Sequence, residues 1–92
     1  MLYHVRMDVH LPANMPKEQA DQIKLKEKAY AQELQQRGKW LHLWRIVGEY
    51  ANVSIFEAKD HDELHEMLSN LPLFPYMSIK VTPLAKHPSA IA

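Results

Sequence analysis

Residues Lys39–Ala58 read KWLHLWRIVGEYANVSIFEA. Two runs rich in aromatic and branched residues flank Gly48-Glu49, and runs of that composition favour strands. A two-residue link with glycine first suits a type II′ hairpin turn. Such a turn sets the register of strands over 39–47 and 50–58. Val47 then faces Tyr50, Arg45 faces Asn52, Leu43 faces Ser54 and Leu41 faces Phe56 on one side. Ile46 with Ala51, Trp44 with Val53 and His42 with Ile55 lie on the other. The second face is almost wholly apolar, with His42 its polar exception. It is the face expected to lie under helices.

Upstream, Lys17–Arg37 has helical periodicity. Ala20, Ile23, Glu27, Tyr30 and Leu34 fall on one side of a helix, and four of the five are apolar or aromatic. Asn14 is a candidate cap, Pro16 suits the first turn, and Gly38 suits the position just past the C-terminus. Residues 2–11 alternate, with Tyr3, Val5, Met7, Val9 and Leu11 on one face, which is a strand pattern closed by Pro12. Downstream, Asp60 and Glu63 resemble a capping box opening a short helix over 61–70. Pro72 and Pro75 prevent regular helix at 71–75. Tyr76–Thr82 alternates as a fourth strand, and 83–92 reads as an extended tail. The order β-α-β-β-α-β predicts one α+β domain over 1–92. It is the ferredoxin-like arrangement, a four-stranded antiparallel sheet with two helices on one face. The open face would carry Arg6, Asp8, Arg45 and Asn52 and invites cover by a second subunit.

Composition narrows the function. The chain has 92 residues, with 11 basic and 11 acidic side chains. That balance argues against nucleic acid as a partner, because phosphate binding needs a basic surface. There is no cysteine, so disulfides and thiol chemistry are excluded. No apolar run is long enough for a membrane span, and the N-terminus lacks a signal-peptide layout. A cytoplasmic protein is the expectation. The chain has only two glycines and therefore no phosphate-binding loop. His61 and His65 have i, i+4 ligand spacing, but no third ligand is near them, so no metal site is expected.

Glu27 is the sharpest chemical candidate. A carboxylate set in an apolar stripe is partly desolvated, which raises its pKa and makes it a better base when ionised. The plainer alternative is a carboxylate at the stripe's edge, wet or paired with Lys24 or Lys28; one turn away, either lysine could also lower its pKa. His42 is either a core histidine or a partner of Glu27. Arg45 suits a carboxylate ligand or an inter-subunit ion pair. Asn52, its neighbour across the hairpin, could donate to the same ligand. Tyr76 follows two prolines, and its hydroxyl either donates to a ligand or ends a core side chain.

The blocks His42–Gly48, Tyr50–Asn52, Leu71–Met77 and His87-Pro88-Ser89, with Met1–Val5 and Leu11-Pro12, resemble the muconolactone Δ-isomerase family almost end to end. Lys24, Glu27 and Lys28 match positions of that family as well. The resemblance implies a ferredoxin-like fold and a homo-oligomer described as a decamer, acting on a small lactone without cofactor or metal. It implies conversion of muconolactone to 3-oxoadipate enol-lactone in catechol degradation. Glu27 is then the proton shuttle, Arg45 with Lys24 holds the substrate carboxylate, and Tyr76, His42 or Asn52 donates to the oxyanion. The hairpin register places His42 and Arg45 on opposite faces, so both enter one pocket only if another subunit takes part. Alternatives are a related ferredoxin-like enzyme acting on a substituted lactone, a cofactor-free monooxygenase, or a non-catalytic oligomeric module that binds a small ligand.

Overall fold

A computed structural model describes residues 1–92. The elements are β1 (Leu2–Val9), α1 (Lys17–Gln36), β2 (Trp40–Arg45), β3 (Ala51–Glu57), α2 (His61–Ser69) and β4 (Met77–Leu84). A 3-10 turn, Phe74–Tyr76, precedes β4. The four strands form one antiparallel sheet in the order β2-β3-β1-β4. This is the α+β, ferredoxin-like arrangement expected from the element order. β4 runs through Pro83 and Leu84, so the ladder takes in two residues of the expected tail. Pro83 is tolerated because β4 is an edge strand, where one proline costs no ladder bond on the open side.

The helix ends follow from local chemistry. α1 starts after Pro16, which is itself the N-cap, and no side chain caps it. The expected Asn14 cap is therefore absent. At the other end Gly38 has φ +73°. Its N–H bonds the Gln35 carbonyl at 3.1 Å and the Lys39 N–H bonds the Leu34 carbonyl at 2.9 Å, a Schellman closure that needs a left-handed residue. α2 has the expected cap, with Asp60 Oδ1 accepting from the Glu63 N–H at 2.8 Å. Glu63 reaches back to the Lys59 N–H at 3.2 Å, one residue earlier than a standard capping box. Tyr30 joins the helices by donating its hydroxyl to the Met67 carbonyl at 3.1 Å.

The hairpin register holds for Arg45↔Asn52, Leu43↔Ser54, Trp44↔Val53 and His42↔Ile55. Two details differ. A turn closed by the Glu49 N–H on the Ile46 carbonyl, 3.1 Å, replaces the expected two-residue link, with Gly48 at φ +81° as its third residue. A β-bulge between Trp40 and His42 also lets Trp40, not Leu41, face Phe56.

The expectation for the sheet faces is reversed on the hairpin. Phe56 and Ser54 are fully buried, while Trp44 is 55% exposed. β1 decides this. Tyr3, Val5 and Met7 are buried, and they stand opposite Phe56, Ser54 and Asn52. Partners across an antiparallel ladder share a face, so Leu43, Arg45, Asn52, Ser54 and Phe56 lie on the helix side. His42 and Trp44 stack on the other face, rings 4.8 Å apart. Arg6 and Asp8 do occupy the open face, paired at 2.9 Å, but Arg45 and Asn52 do not join them.

The core lies between sheet and helices. Tyr3, Met7, Leu34, Trp40, Phe56 and Leu68 are among its buried members. The α1 stripe reads as expected, with Ala20, Ile23, Glu27, Tyr30 and Leu34 each buried or half-buried.

Candidate active site

α1, the start of β2, the hairpin and the Leu71–Tyr76 segment enclose a cavity of about 530 Å³. That is within the usual range for a small-molecule site. Its walls mix apolar side chains, Val9, Trp40, Leu43 and Met77 among them, with Glu27, Arg45, Asn52, Lys24 and Lys28. Glu27 is the only acid in the wall, against three cations. A small organic anion suits that balance.

Glu27 is half-buried on α1. Its Oε1 accepts the Leu73 backbone N–H at 3.0 Å. Burial pushes its pKa up, and the Leu73 bond opposes that rise in part. No lysine contributes: Glu27 has no ion pair, and neither Lys24 nor Lys28 is a cause of its shift. The edge-of-stripe reading, with a lysine partner, is therefore not what the fold adopts. One carboxylate oxygen is fixed by the backbone, and Oε2 has no hydrogen-bond partner in the chain.

Asn52 is oriented by its own strand. Ser54 Oγ, buried two residues on, donates to Asn52 Oδ1 at 2.7 Å. With its oxygen committed, the amide presents Nδ2 as a free donor. Arg45 and Lys24 flank the Tyr50 ring, with Arg45 Cζ 5.6 Å and Lys24 Nζ 5.5 Å from its centroid. Those are cation–π distances. Arg45 also donates to the Glu49 carbonyl at 3.5 Å. Both cations are thus steadied at the mouth without being neutralised by an acid.

Of the six residues singled out from sequence, Glu27, Lys24, Arg45 and Asn52 line one cavity. His42 and Tyr76 do not. His42 is exposed on the opposite face of the sheet. Tyr76 borders a separate, more polar cleft with Pro12, Asn14 and Gln19. Within one chain, neither reaches Glu27's cavity. The contradiction between His42 and Arg45 is resolved in favour of Arg45, and no second subunit is needed to bring Arg45 to Glu27.

Trp40, Tyr50, Gln32 and the Leu73 amide are parts of the wall that sequence reasoning missed, and Lys28, expected only as a neighbour of Glu27, joins them. Leu73 had a usable signal. A residue between two prolines is in neither regular helix nor strand, so its N–H must find a partner outside the usual ladders. No three His, Asp or Glu side chains gather as a metal-ligand set. His61, half of the i, i+4 pair, is instead bonded through Nδ1 to the Tyr3 hydroxyl at 2.6 Å.

The chain matches the family model described as muconolactone delta-isomerase over residues 1–90. It is 70% identical over 91 residues to the muconolactone Δ-isomerase of Cupriavidus pinatubonensis, covering 99% of each chain. It is 57% identical to that of Rhodococcus opacus over 90 residues, covering 98% of this chain and 97% of the other. A crystal structure of muconolactone isomerase superposes with a TM-score of 0.95 at 52% identity, covering 100% of this chain and 96% of that one.

Proposed function

The chain belongs to the muconolactone Δ-isomerase family, and from that premise we propose that Glu27 carries the proton whose transfer isomerises the lactone. The activity is conversion of muconolactone to 3-oxoadipate enol-lactone, in catechol degradation. A ring double bond moves from the α,β to the β,γ position. A proton leaves the γ carbon, and one arrives at the α carbon. Between them stands a dienolate with its charge on the lactone carbonyl oxygen.

One observation carries the reading. The cavity holds a single, partly desolvated carboxylate with one oxygen tied to the backbone and the other unpartnered. A single base on one face of the ring can collect the proton at γ and return it at α. Its raised pKa brings it closer to the carbon acid it must deprotonate. Arg45, with Lys24, holds the substrate's carboxylate. Asn52 Nδ2 donates to the dienolate oxygen. His42 and Tyr76 take no part in this scheme, since neither borders the cavity.

The pH profile tests the shuttle. The working form is ionised, so kcat/KM for muconolactone, followed by lactone absorbance, is expected to rise with pH along a single limb. That limb lies above the range of an ordinary glutamate, because burial raises the pKa. The sign for stability is opposite. A folded-state pKa above the unfolded one gives a contribution that is full below the unfolded value and lost as pH rises through the folded value. The site therefore gains activity over the same window in which Glu27 ceases to favour the fold. A flat profile across that window, or a limb at the ordinary value, counts against the assignment.

Arg45→Ala is expected to raise KM by about tenfold or more while lowering kcat by less, since it removes binding common to ground and transition states. Steady-state kinetics check it. If neither parameter moves, Arg45 serves the hairpin and not the substrate.

The reading extends to a cytoplasmic homo-oligomer, a decamer as the family resemblance implies. Trp44 at 55%, Leu41 at 45% and Val81 at 39% exposure support a covering neighbour, because a small chain gains from burying such surface. No helix is long and apolar enough to cross a membrane.

A further inference from the structure

Trp40 lines the cavity and is 2% exposed. Its indole Nε1 is buried and has no hydrogen-bond partner, the one buried side-chain polar atom in the chain of which this is true. An N–H removed from water with no acceptor is a cost that folded proteins seldom leave standing. The ring is held against Phe56, centroids 4.6 Å apart and planes 29° from parallel. Asn52 Oδ1 takes the Ser54 hydroxyl and Glu27 Oε1 takes the Leu73 amide, and no acceptor of the chain, the free Glu27 Oε2 included, is hydrogen-bonded to this N–H. Trp40 borders a site that must stabilise an oxyanion, and its N–H, covered by neighbouring side chains, has no partner within the chain.

We propose that substrate entry displaces the side chains covering the Trp40 indole N–H, which then donates to the lactone carbonyl oxygen and strengthens that bond as the dienolate forms, acting beside Asn52 Nδ2. This rests on the proton-shuttle reading above. Indole suits the task for a chemical reason. It is a donor only and gives up no proton near neutral pH. It therefore stabilises the charge on oxygen without protonating it, and the proton on Glu27 remains the one delivered to the α carbon. A cationic or phenolic donor at the same place would compete by protonating the oxygen. The bulge in β2 supplies the position, since it turns Trp40 onto the face shared by Asn52 and Arg45.

Trp40→Phe keeps the ring stack and removes only the N–H. The expected result is a fall in kcat of about a hundredfold, the usual scale for losing one oxyanion donor. KM should change by less than about threefold. The thermal midpoint should hold or rise, since an unpaired donor is gone. A structural role alone would lower the midpoint and leave kcat per folded molecule intact. A second measurement uses the unaltered protein labelled with nitrogen-15 at its two tryptophans. Saturation with the ring-reduced lactone, which keeps the carbonyl and the carboxymethyl arm but cannot isomerise, should move the Trp40 indole resonance downfield. Exposed Trp44, on the far face, serves as the internal control. A Trp40→Phe kcat within about threefold of the parent, or a Trp40 resonance unmoved at saturation, overturns the proposal; the latter would mean that the indole's partner is a buried water. If Glu27→Gln is inactive while Trp40→Phe is not, this inference alone fails. If Glu27→Gln turns over normally, the shuttle fails with it.

Discussion

Glu27→Gln is expected to lower kcat by about 10³-fold, the middle of the range that general-base catalysis contributes, and to leave the fold intact. The amide matches the carboxylate in size. Its carbonyl oxygen can still accept the Leu73 N–H, so the link from α1 to the proline-flanked segment survives. What disappears is the one carboxylate in the wall able to take a proton from carbon, since the other polar neighbours are cations, amides, the Tyr50 phenol and the Trp40 indole. The thermal midpoint above the folded-state pKa should hold or rise, because a charge that burial disfavours has been removed. Lactone absorbance reads the rate, and far-ultraviolet circular dichroism reads the fold. Near-parental turnover by a folded Glu27→Gln protein would falsify the shuttle.

Phe56→Ala carries the largest expected cost in stability, about 3–5 kcal/mol by the usual range for aromatic truncation in a core. Phe56 is fully buried. It stands between Tyr3 of β1 and Trp40 of β2 on the ladder and stacks on the Trp40 ring. Alanine there opens a void under the site and frees the indole plane at once. A domain of this size has about 5–15 kcal/mol in total, so the variant should lose a large share of its stability. Urea denaturation checks it, through a lower midpoint at unchanged slope. A loss below about 1 kcal/mol would mean that the neighbours close the space and that the stack is not what holds Trp40.

The fold was open to reading from sequence because its signals are local. Alternation in Tyr3, Val5, Met7 and Val9, the stripe from Ala20 to Leu34, the Asp60 cap and Gly38 each rest on neighbours a few residues away. The register of the hairpin was legible for the same reason. Its facing was not. The set His42, Trp44, Val53 and Ile55, apolar but for His42, looks like a core face, yet the opposite set turns Arg45, Asn52 and Ser54 to the helix side, with Ser54 buried and Arg45 and Asn52 lining the cavity. Interior polarity is what a site requires, and a rule that sends apolar residues inward fails where function overrides it. Glu27 escaped that error because the other four residues of its stripe fix which way α1 faces. His42 and Tyr76 have suitable chemistry, but chemistry alone does not say on which surface a side chain stands.

The bulge at Leu41 has a bearing on how this site is counted along the chain. Trp40 and Leu43 differ by an odd number, as do Trp40 and Arg45, yet all three border one cavity. In an uninterrupted strand an odd separation sends two side chains to opposite surfaces. The single surplus residue acts as a frame change in the spatial code of β2: positions before it follow one parity and positions after it the other. Any template that specifies the site by even spacing would find the guanidinium and overlook the indole. In a relative with one residue fewer here, Trp40's counterpart would keep its place in an alignment and lose its place in the cavity.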